Sequence, residues 1–270
     1  YKYKPNFNLP KYDYNLINKI SKHKGGVRAL ALIEVNQFYK AAREFRKIIP
    51  KFEVKDYPEL LSFTSKNNMP GLTFRLAAIL RNDHNKILLG GLYPVPTWNI
   101  DTSDLKDKAL LYAIARQESG FNPRAKSSSK AMGVLQIIPS TAAFIMKNRE
   151  YRLRRSKNHL LYNPLHNISI GSKYIKFLFS LPIVNNDLMW MLASYNAGPG
   201  NFEKWTKYRN YKYKDTLLML ESLPARETRN YIKLVLTNLW VYKARFNQDN
   251  TVLLSLCLLY TSPSPRDFTE

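Results

Sequence analysis

Cysteine and acidic residues are scarce in this sequence of 270 residues: it has a single cysteine, Cys257, and only 20 acidic residues against 42 basic ones. One cysteine cannot form an intramolecular disulfide or a cysteine-based metal site. The shortage of acidic residues leaves a formal net charge of +22, which excludes an acidic solvating tail and favours polyanionic partners.

Long apolar runs and metal-binding patterns are missing as well. No stretch of 18 consecutive apolar residues occurs, so a transmembrane helix is not expected. The four histidines, His23, His84, His159 and His166, do not have the spacing of metal ligands, and no glycine-rich loop has a phosphate-binding form. The sequence therefore predicts no metal and no cofactor.

Apolar residues at three- and four-residue spacing are abundant, and this period is typical of α-helices. Alternating runs of β-branched residues are largely missing, so the predicted fold class is all-α. Four helices are predicted in the first part of the chain, at 25–32, 38–45, 60–69 and 72–81. We expect the first pair to end at Pro50 and the second pair to turn at Pro70 and Gly71, giving two helical hairpins of the kind that build α-solenoids.

Glycine and proline residues between 90 and 96 interrupt the helical pattern and mark the expected domain boundary. We predict a superhelix-like region at 1–97, a second domain at 98–246 and a tail at 247–270. Their formal charges are +10, +14 and −2, so the basic character belongs to the two folded regions. Part of the tail, 257–267, resembles translated adapter or vector sequence and is left out of the fold prediction; a membrane-associating segment is the alternative.

The second domain is expected to open with a helix that runs from Leu110 to Ser119. Ser103 or Asp104 is the predicted N-cap, because short polar side chains accept hydrogen bonds from the first free amides of a helix. Gly120 is in the position of a C-terminal stop. This helix matters for function because it carries an acidic residue near its end.

Glu118 shares one face of that helix with the apolar residues Leu111 and Ile114. A carboxylate on an apolar face is costly unless it is paired or used. Burial and the negative end of the helix dipole both raise the pKa of such a group toward the range of a general acid. The structural alternative is a buried ion pair with Arg116 or Arg124.

Four segments of the second domain resemble the motifs of the soluble lytic transglycosylases, in the family's order and spacing. They are 116–123 (RQESGFNP) followed by Ser127, 133–142 (GVLQIIPSTA), 193–200 (ASYNAGPG) and 221–232 (ESLPARETRNYI). The resemblance covers about 98–246. The helical hairpins of 25–90 also resemble, less specifically, the α-superhelical region that precedes the catalytic domain in the large members of the family.

This resemblance implies a lysozyme-like catalytic domain that cleaves the β-1,4 bond between N-acetylmuramic acid and N-acetylglucosamine in peptidoglycan. The product would carry a 1,6-anhydro muramyl end, because the sugar's own C6 hydroxyl replaces water. One carboxylic acid, Glu118, then serves as general acid and afterwards as general base. The residues implied to bind the substrate are Ser119, Ser127, Gln136, Tyr195, Asn196, Glu227 and Tyr231.

Several of these residues have a structural alternative. The amide of Gln136 lies in an apolar run and needs a hydrogen-bond partner, which the core could supply. Tyr195 belongs to an apolar helical stripe and is either a core aromatic or, as the resemblance implies, a hydroxyl that orients the acid. Glu227 and Tyr231 share a face that we expect to point inward; a first-turn glutamate favoured by the helix dipole is the alternative for Glu227. Lys130 stands where the family usually has glycine, which puts the conformation of the loop that follows Ser127 in question.

The implied partner is the peptidoglycan glycan strand, with cell-wall synthesis or remodelling proteins as further partners, and the implied location is the periplasm or cell envelope. Two basic segments, 147–157 and 204–214, interleave cations with aromatic residues. Three interpretations of these segments remain open: solvated faces, a surface attracted to peptide-stem carboxylates and anionic envelope polymers, or sites for single-stranded nucleic acid. Of these, nucleic-acid binding is not expected. The rival functions are a hydrolase of the same bond and a catalytically silent binder of glycan or nucleic acid.

Overall fold

The computed structural model describes residues 5–98, 107–152, 157–209 and 216–248, and these residues form an all-α fold, as predicted. The α-helices in these ranges are α1 (Tyr14–Ser21), α2 (Lys24–Glu34), α3 (Phe38–Ile48), α4 (Tyr57–Lys66), α5 (Pro70–His84), α6 (Leu89–Leu92), α7 (Lys108–Ser119), α8 (Pro139–Ile145), α9 (Pro164–Ser180), α10 (Leu188–Ala197), α11 (Pro199–Arg209), α12 (Thr216–Ser222) and α13 (Arg226–Arg245). Short 3-10 helices lie at Ile49–Lys51, Val54–Asp56, Arg149–Arg152 and Asn158–Tyr162. The same ranges contain isolated β-bridges but no β-strand.

The two predicted hairpins are present as α2 with α3 and α4 with α5. The turn of the second hairpin differs from the prediction, since α4 ends at Lys66 and Pro70 is already the first residue of α5. Proline is well suited to this position because the first turn of a helix does not use its amide hydrogens. The second hairpin therefore turns at 67–69, one step earlier than the proline and glycine suggested.

The expected break at 90–96 begins inside a short helix, α6, whose last residue is Leu92 and whose C-cap is Tyr93. Gly90 and Gly91 lie inside α6, where their lack of a side chain lets neighbouring segments pack closely. A Cβ atom at Gly91 would lie 2.6 Å from a methyl group of Leu61, and one at Gly90 would collide with the carbonyl oxygen of Phe7. The two glycines thus allow close approach of neighbouring segments, and the domain boundary placed here stays a prediction.

Helix α7 packs against α13, and two buried tyrosines join this pair to the segment before it. The rings of Tyr112 and Tyr242 lie 5.5 Å apart. The Tyr112 hydroxyl donates to the carbonyl of Pro96 at 3.2 Å, and the Tyr242 hydroxyl donates to that of Pro94 at 3.1 Å. The segment at 94–96 is thereby held against the helix pair that carries Glu118.

The N-cap of α7 is Asp107, whose carboxylate accepts a hydrogen bond from the amide of Leu110 at 3.1 Å. The predicted caps, Ser103 and Asp104, lie outside the described residues, and the helix begins after them. At the other end Gly120 has a φ of 55°, the left-handed conformation that ends a helix most easily at glycine.

Some sequence predictions fall on parts of the chain that the structure does not describe. Cys257 and all of the predicted tail after residue 248 lie outside the described residues, as do parts of the two basic segments, 147–157 and 204–214. Within the described ranges, no helix combines the length and the apolar character needed to cross a membrane.

Candidate active site

Glu118 lies in the last turn of α7, on a face that packs toward α13. Leu111 and Ile114 on the same face are buried, as the spacing predicted. The carboxylate accepts a hydrogen bond at Oε1 from the hydroxyl of Tyr231 on α13, at 2.7 Å. No other described residue donates to this carboxylate, so Oε2 is left available.

Burial raises the pKa of Glu118 to about 7. The hydrogen bond from Tyr231 opposes this shift because it stabilises the charged form, and the negative charge of Glu227 adds a smaller increase. A carboxyl group with this pKa is protonated in a substantial fraction of molecules at neutral pH. Glu118 can therefore donate a proton there and accept one back.

The sequence alternative of an ion pair for Glu118 is wrong in this structure. The guanidinium of Arg116 donates from Nε to the carbonyl of Leu92 at 2.7 Å and from Nη1 to the side chain of Asn238 at 2.6 Å. Arg124 lies instead over an aromatic ring of an adjoining segment. Arg116 lies on another face of α7 because it is two positions before Glu118. Neither arginine forms a salt bridge with the carboxylate.

Tyr195 on α10 lies near the acid but does not bond to it. Its hydroxyl donates to the carbonyl of Leu135 at 2.7 Å. Burial raises the pKa of Tyr195 well above the usual value, and the charge of Glu118 adds to this shift. The tyrosine that contacts the acid is thus Tyr231, and the prediction that Tyr195 orients it directly is wrong.

Ser119 is also turned toward the loop that follows α7. Its hydroxyl lies 2.8 Å from the carbonyl oxygen of Val134 and 3.2 Å from that of Ala115. Ser119 and Tyr195 thus donate to successive carbonyls of the same loop, at residues 134 and 135. The two side chains fix the position of this loop relative to the end of α7.

Asn167 on α9, which the sequence analysis missed, is the main anchor of that loop. It is fully buried, its Nδ2 donates to the carbonyls of Met132 and Leu161 at 2.9 Å, and its Oδ1 accepts from the amide of Leu135 at 2.7 Å. Gly133 has a φ of 80° and lies against this side chain, so a Cβ atom there would collide with it. A polar residue on the inner face of an apolar helix was the sequence signal that could have identified Asn167.

Gln136 and Ser127 are both held by contacts within the loop. The side-chain Nε2 of Gln136 donates to the carbonyl of Gly133 at 2.9 Å, and its backbone has a φ of 47°. The hydroxyl oxygen of Ser127 accepts from the amide of Ala131 at 3.0 Å. Lys130 adopts a φ of 64°, which is the conformation that glycine takes without cost, so the lysine keeps the turn that a glycine would favour.

The end of α10 and the start of α13 meet at Asn196. The hydroxyl of Thr228 donates to the side-chain oxygen of Asn196 at 2.7 Å. Glu227 is exposed in the first turn of α13, so the expectation that it points inward is wrong, whereas Tyr231 on the same helix is buried. Glu118, Tyr195 and Tyr231 therefore form the centre of the candidate site, and Glu227 lies at its edge.

Among the described residues, no group of three or more histidine, cysteine, aspartate or glutamate side chains could hold a metal ion. His166 is occupied by a contact of 2.7 Å between its Nε2 and the hydroxyl of Tyr151. The arrangement around Glu118 offers proton transfer by one carboxylic acid next to tyrosine hydroxyls.

The fold and the site define a helical domain with a largely buried carboxylic acid, Glu118, at the end of a helix. A family model of the transglycosylase SLT domain matches residues 101–218, which confirms the resemblance that the sequence motifs predicted. The matched range includes Glu118 and Tyr195. Tyr231 and Glu227 lie beyond it.

Two curated relatives and one solved structure illustrate the likeness. The chain is 37% identical over 143 residues to the soluble lytic murein transglycosylase of Escherichia coli K12, covering 53% of this chain and 21% of the relative. It is 36% identical over 150 residues to the protein of the same name in Salmonella typhimurium LT2, covering 55% of this chain and 23% of the relative. The crystal structure of the 70 kDa soluble lytic transglycosylase SLT70 from Escherichia coli superposes with a TM-score of 0.71 and 24% identity, over 90% of this chain and 39% of that one. The chain thus spans about a fifth of the length of these curated relatives.

Proposed function

We propose that this chain is a peptidoglycan lytic transglycosylase that cleaves the β-1,4 bond between N-acetylmuramic acid and N-acetylglucosamine. The observation that carries the proposal is Glu118, a carboxylic acid with a pKa of about 7 that is held by one tyrosine hydroxyl and has one oxygen available. The SLT domain at 101–218 and the lytic murein transglycosylase names of the relatives support it.

In the first step, the protonated Glu118 donates its proton to the glycosidic oxygen as the C1–O bond breaks. Because the Tyr231 hydroxyl occupies Oε1, the carboxyl proton is best placed on Oε2, the oxygen open to substrate. The ring oxygen of the muramic acid stabilises the developing positive charge at C1. The leaving N-acetylglucosamine carries away the proton as its new hydroxyl group.

In the second step, the carboxylate of Glu118 takes the proton from the C6 hydroxyl of the same muramic acid while that oxygen bonds to C1. A 1,6-anhydro ring forms, Glu118 regains its proton, and water takes no part. The Tyr231 hydroxyl stabilises the carboxylate between the two steps, since its hydrogen bond lowers the pKa of Glu118. A single acid with a pKa near neutrality suits both steps, so a second carboxylate is not needed.

The remaining predicted residues are proposed to shape the sugar site. Tyr195 and Ser119 hold the loop at 134–135 beside the acid, and Gln136 and Asn196 present amide groups that are partly accessible. Ser127 and the exposed Glu227 are proposed to contact the glycan strand at the edge of the site. In this proposal the catalytic domain is 98–246, the region at 1–97 supports it, and the protein acts on murein in the cell envelope.

The test is the digestion of purified sacculi by the protein and by Glu118→Gln, with mass spectrometry of the released fragments. We expect 1,6-anhydro ends from the unchanged protein and a loss of activity of about 10²–10⁴-fold in the variant, as for removal of a general acid. The amide keeps the size of the carboxyl group, so circular dichroism should show an unchanged fold. Fragments with reducing ends in place of anhydro ends would identify a hydrolase. Full activity of the folded variant would exclude Glu118 as the acid.

A further inference from the structure

A row of aromatic side chains leads from the candidate site to the surface formed by α8 and α9. The ring centres of Tyr195 and Tyr174 lie 5.5 Å apart, and those of Tyr174 and Phe177 lie 6.4 Å apart. The ring of Phe177 in turn lies 5.1 Å from that of Phe144. Tyr195 belongs to α10, Tyr174 and Phe177 to α9, and Phe144 to α8. These four residues, here named the aromatic row, thus connect three helices.

The aromatic row becomes more accessible with distance from the acid. Tyr195, Tyr174 and Phe177 are half-buried, and Phe144 is 57% exposed. In the described part of the chain no other phenylalanine or tryptophan is exposed to this extent. A single exposed apolar side chain is ordinary, but an exposed ring that continues a series of partly accessible rings forms a contiguous apolar surface. Such a surface is typical of a binding site.

The hydroxyl of Tyr174 is unused within the protein, because it forms no hydrogen bond with any described residue. Burial raises the pKa of Tyr174 to about 12, so the hydroxyl keeps its proton at neutral pH and remains a donor. An ionised Tyr174 would raise the pKa of both Tyr195 and Tyr231, which indicates that its oxygen lies near theirs. Tyr231 is the residue that holds Glu118. A free donor therefore lies at the end of the aromatic row that is nearest to the acid.

This combination of groups matches the chemistry of a sugar chain. A pyranose ring has C–H groups on its faces, which pack against the negative face of an aromatic ring, and hydroxyl or acetamido groups at its edge, which form hydrogen bonds. The aromatic row offers apolar faces at Phe177 and Phe144 and a donor at Tyr174. It is also continuous with the candidate site through Tyr195. A chain of sugars that reaches Glu118 can therefore continue along the row.

We infer that the aromatic row binds the glycan strand on one side of the bond that is cut. The Tyr174 hydroxyl donates to a sugar near the acid, and the rings of Phe177 and Phe144 pack against sugars further along the strand. The inference rests on the proposed function, which supplies the substrate class. It adds three substrate contacts that lie outside the four segments with family-like motifs, 116–123, 133–142, 193–200 and 221–232.

The test measures, by calorimetry, the binding of a tetrasaccharide and of long peptide-free glycan strands to the full chain carrying Glu118→Gln, so that the strands are not cut. Adding Tyr174→Phe removes the free hydroxyl and keeps the ring, and it should weaken the binding of both probes about fivefold. Adding Phe144→Ala should weaken the binding of long strands about tenfold. It should change the affinity for the tetrasaccharide less, because Phe144 is the ring furthest along the row from Tyr195.

Tyr14→Ala is the matched control, since Tyr14 is an aromatic residue of α1 that is 76% exposed and lies outside the aromatic row. It should change the affinity for either probe less than about twofold. Circular dichroism should show the same fold for all variants, because Phe144 is a surface side chain and Tyr174→Phe keeps the ring. Affinities for long strands that neither Tyr174→Phe nor Phe144→Ala changes would overturn the inference. So would an equal loss in Tyr14→Ala, or a Phe144→Ala variant that alters only the oligomeric state in sedimentation.

Strand cleavage separates this inference from the proposed function. With Glu118 in place, Phe144→Ala should raise KM for long strands about tenfold and leave kcat unchanged, because it removes binding far from the reacting atoms. A lower kcat with an unchanged KM would contradict a role in strand binding. Glycan binding that depends on Tyr174 and Phe144, in a protein that releases no anhydro fragments, would sustain the aromatic row and refute the proposed reaction.

Discussion

Two charged residues on the same helix, Arg116 and Glu118, differ in how many hydrogen bonds their surroundings provide. Arg116 makes two hydrogen bonds and lies 4.2 Å and 4.8 Å from the ring centres of Tyr93 and Phe74. Glu118 receives a single hydrogen bond, and burial leaves its pKa near 7. The arginine is held by two hydrogen bonds and two aromatic rings and joins the two regions of the molecule, whereas the glutamate is left with an unused oxygen.

This difference shows that the contacts of a charged side chain decide whether it stabilises the fold or is available for a reaction. A buried charge stabilises a fold only when its hydrogen-bonding groups are paired. Arg116 is paired at Nε and Nη1 with Leu92 and Asn238, which belong to segments on either side of α7. Glu118 has one oxygen without a partner, so its burial costs stability and raises its pKa, and the raised pKa favours proton transfer at neutral pH.

The largest effects are expected when each charge is removed in turn, in the variants Glu118→Gln and Arg116→Met. Glu118→Gln should abolish most activity, as stated above, and leave the fold intact. Arg116→Met should do the reverse, because it leaves the acceptors at Leu92 and Asn238 unpaired. We expect it to lower stability by about 2–3 kcal/mol and the melting temperature by about 5–10 °C.

Circular dichroism during thermal unfolding measures the stability of both variants. Digestion of sacculi at a temperature where both variants are folded measures their activity. Arg75→Met is the control for stability, since Arg75 is exposed and should change the melting temperature by little. A folded Arg116→Met protein that had lost most of its activity would show that Arg116 takes part in the reaction.

A second, smaller effect is expected from the tyrosine that holds the acid. Tyr231→Phe removes the hydrogen bond that lowers the pKa of Glu118, so the pKa should rise further. We expect about a tenfold loss of activity from poorer positioning and a shift of the alkaline limb of the pH profile to higher pH. Initial rates on sacculi between pH 5 and 9 measure both changes.

Tyr195→Phe is the matched control for that experiment. Its hydroxyl donates to the carbonyl of Leu135 and not to the acid, so its removal should leave the alkaline limb within a few tenths of a pH unit. If Tyr195→Phe moved the limb as far as Tyr231→Phe, the contact between Tyr231 and Glu118 would not be what sets the pKa.

The smallest expected effect is the dependence of stability on pH. Because the pKa of Glu118 is raised from 4.5 to about 7 in the folded protein, the folded state binds more protons between these values than the unfolded state does. The contribution of Glu118 to stability therefore falls as pH rises from about 4.5 to about 7. Glu118→Gln lacks this loss and should be more stable than the unchanged protein at pH 8 by about 1–3 kcal/mol.

Melting temperatures of the two proteins at pH 5 and pH 8 check this prediction. Their difference should be larger at pH 8. A difference that is equal at the two pH values would mean that Glu118 has the same pKa in the folded and unfolded states.

Much of the fold could be predicted from local patterns, and the errors share a cause. The helices of both hairpins, the stop at Gly120 and the apolar face of Glu118 follow from periodicity and from residue chemistry within a few positions of the chain. The turn placed at Pro70 and the break placed at Gly90 were shifted, because proline is tolerated in the first turn of a helix and glycine is needed where segments pack closely.

The candidate site also has features that the sequence could predict and features that it could not. Glu118 could be proposed as the acid from its position on an apolar face and from the motifs around it. The roles of Tyr195 and Tyr231 could not be told apart, since both are tyrosines on apolar helix faces and only the packing of α10 and α13 decides which hydroxyl reaches the carboxylate. Asn167 was missed because two of its three partners, Met132 and Leu135, lie 35 and 32 residues away in the sequence.

The sequence by itself determined the all-α class, the resemblance to the SLT domain family and the choice of Glu118 as the candidate acid, because these depend on local spacing and residue type. Only the tertiary structure decided which charge on α7 is held by two hydrogen bonds and which tyrosine holds the acid. Those properties arise from contacts between residues far apart in the chain, such as Glu118 with Tyr231 and Arg116 with Asn238. Burial and hydrogen bonding set the pKa and the availability of a group, and neither exists before the helices pack.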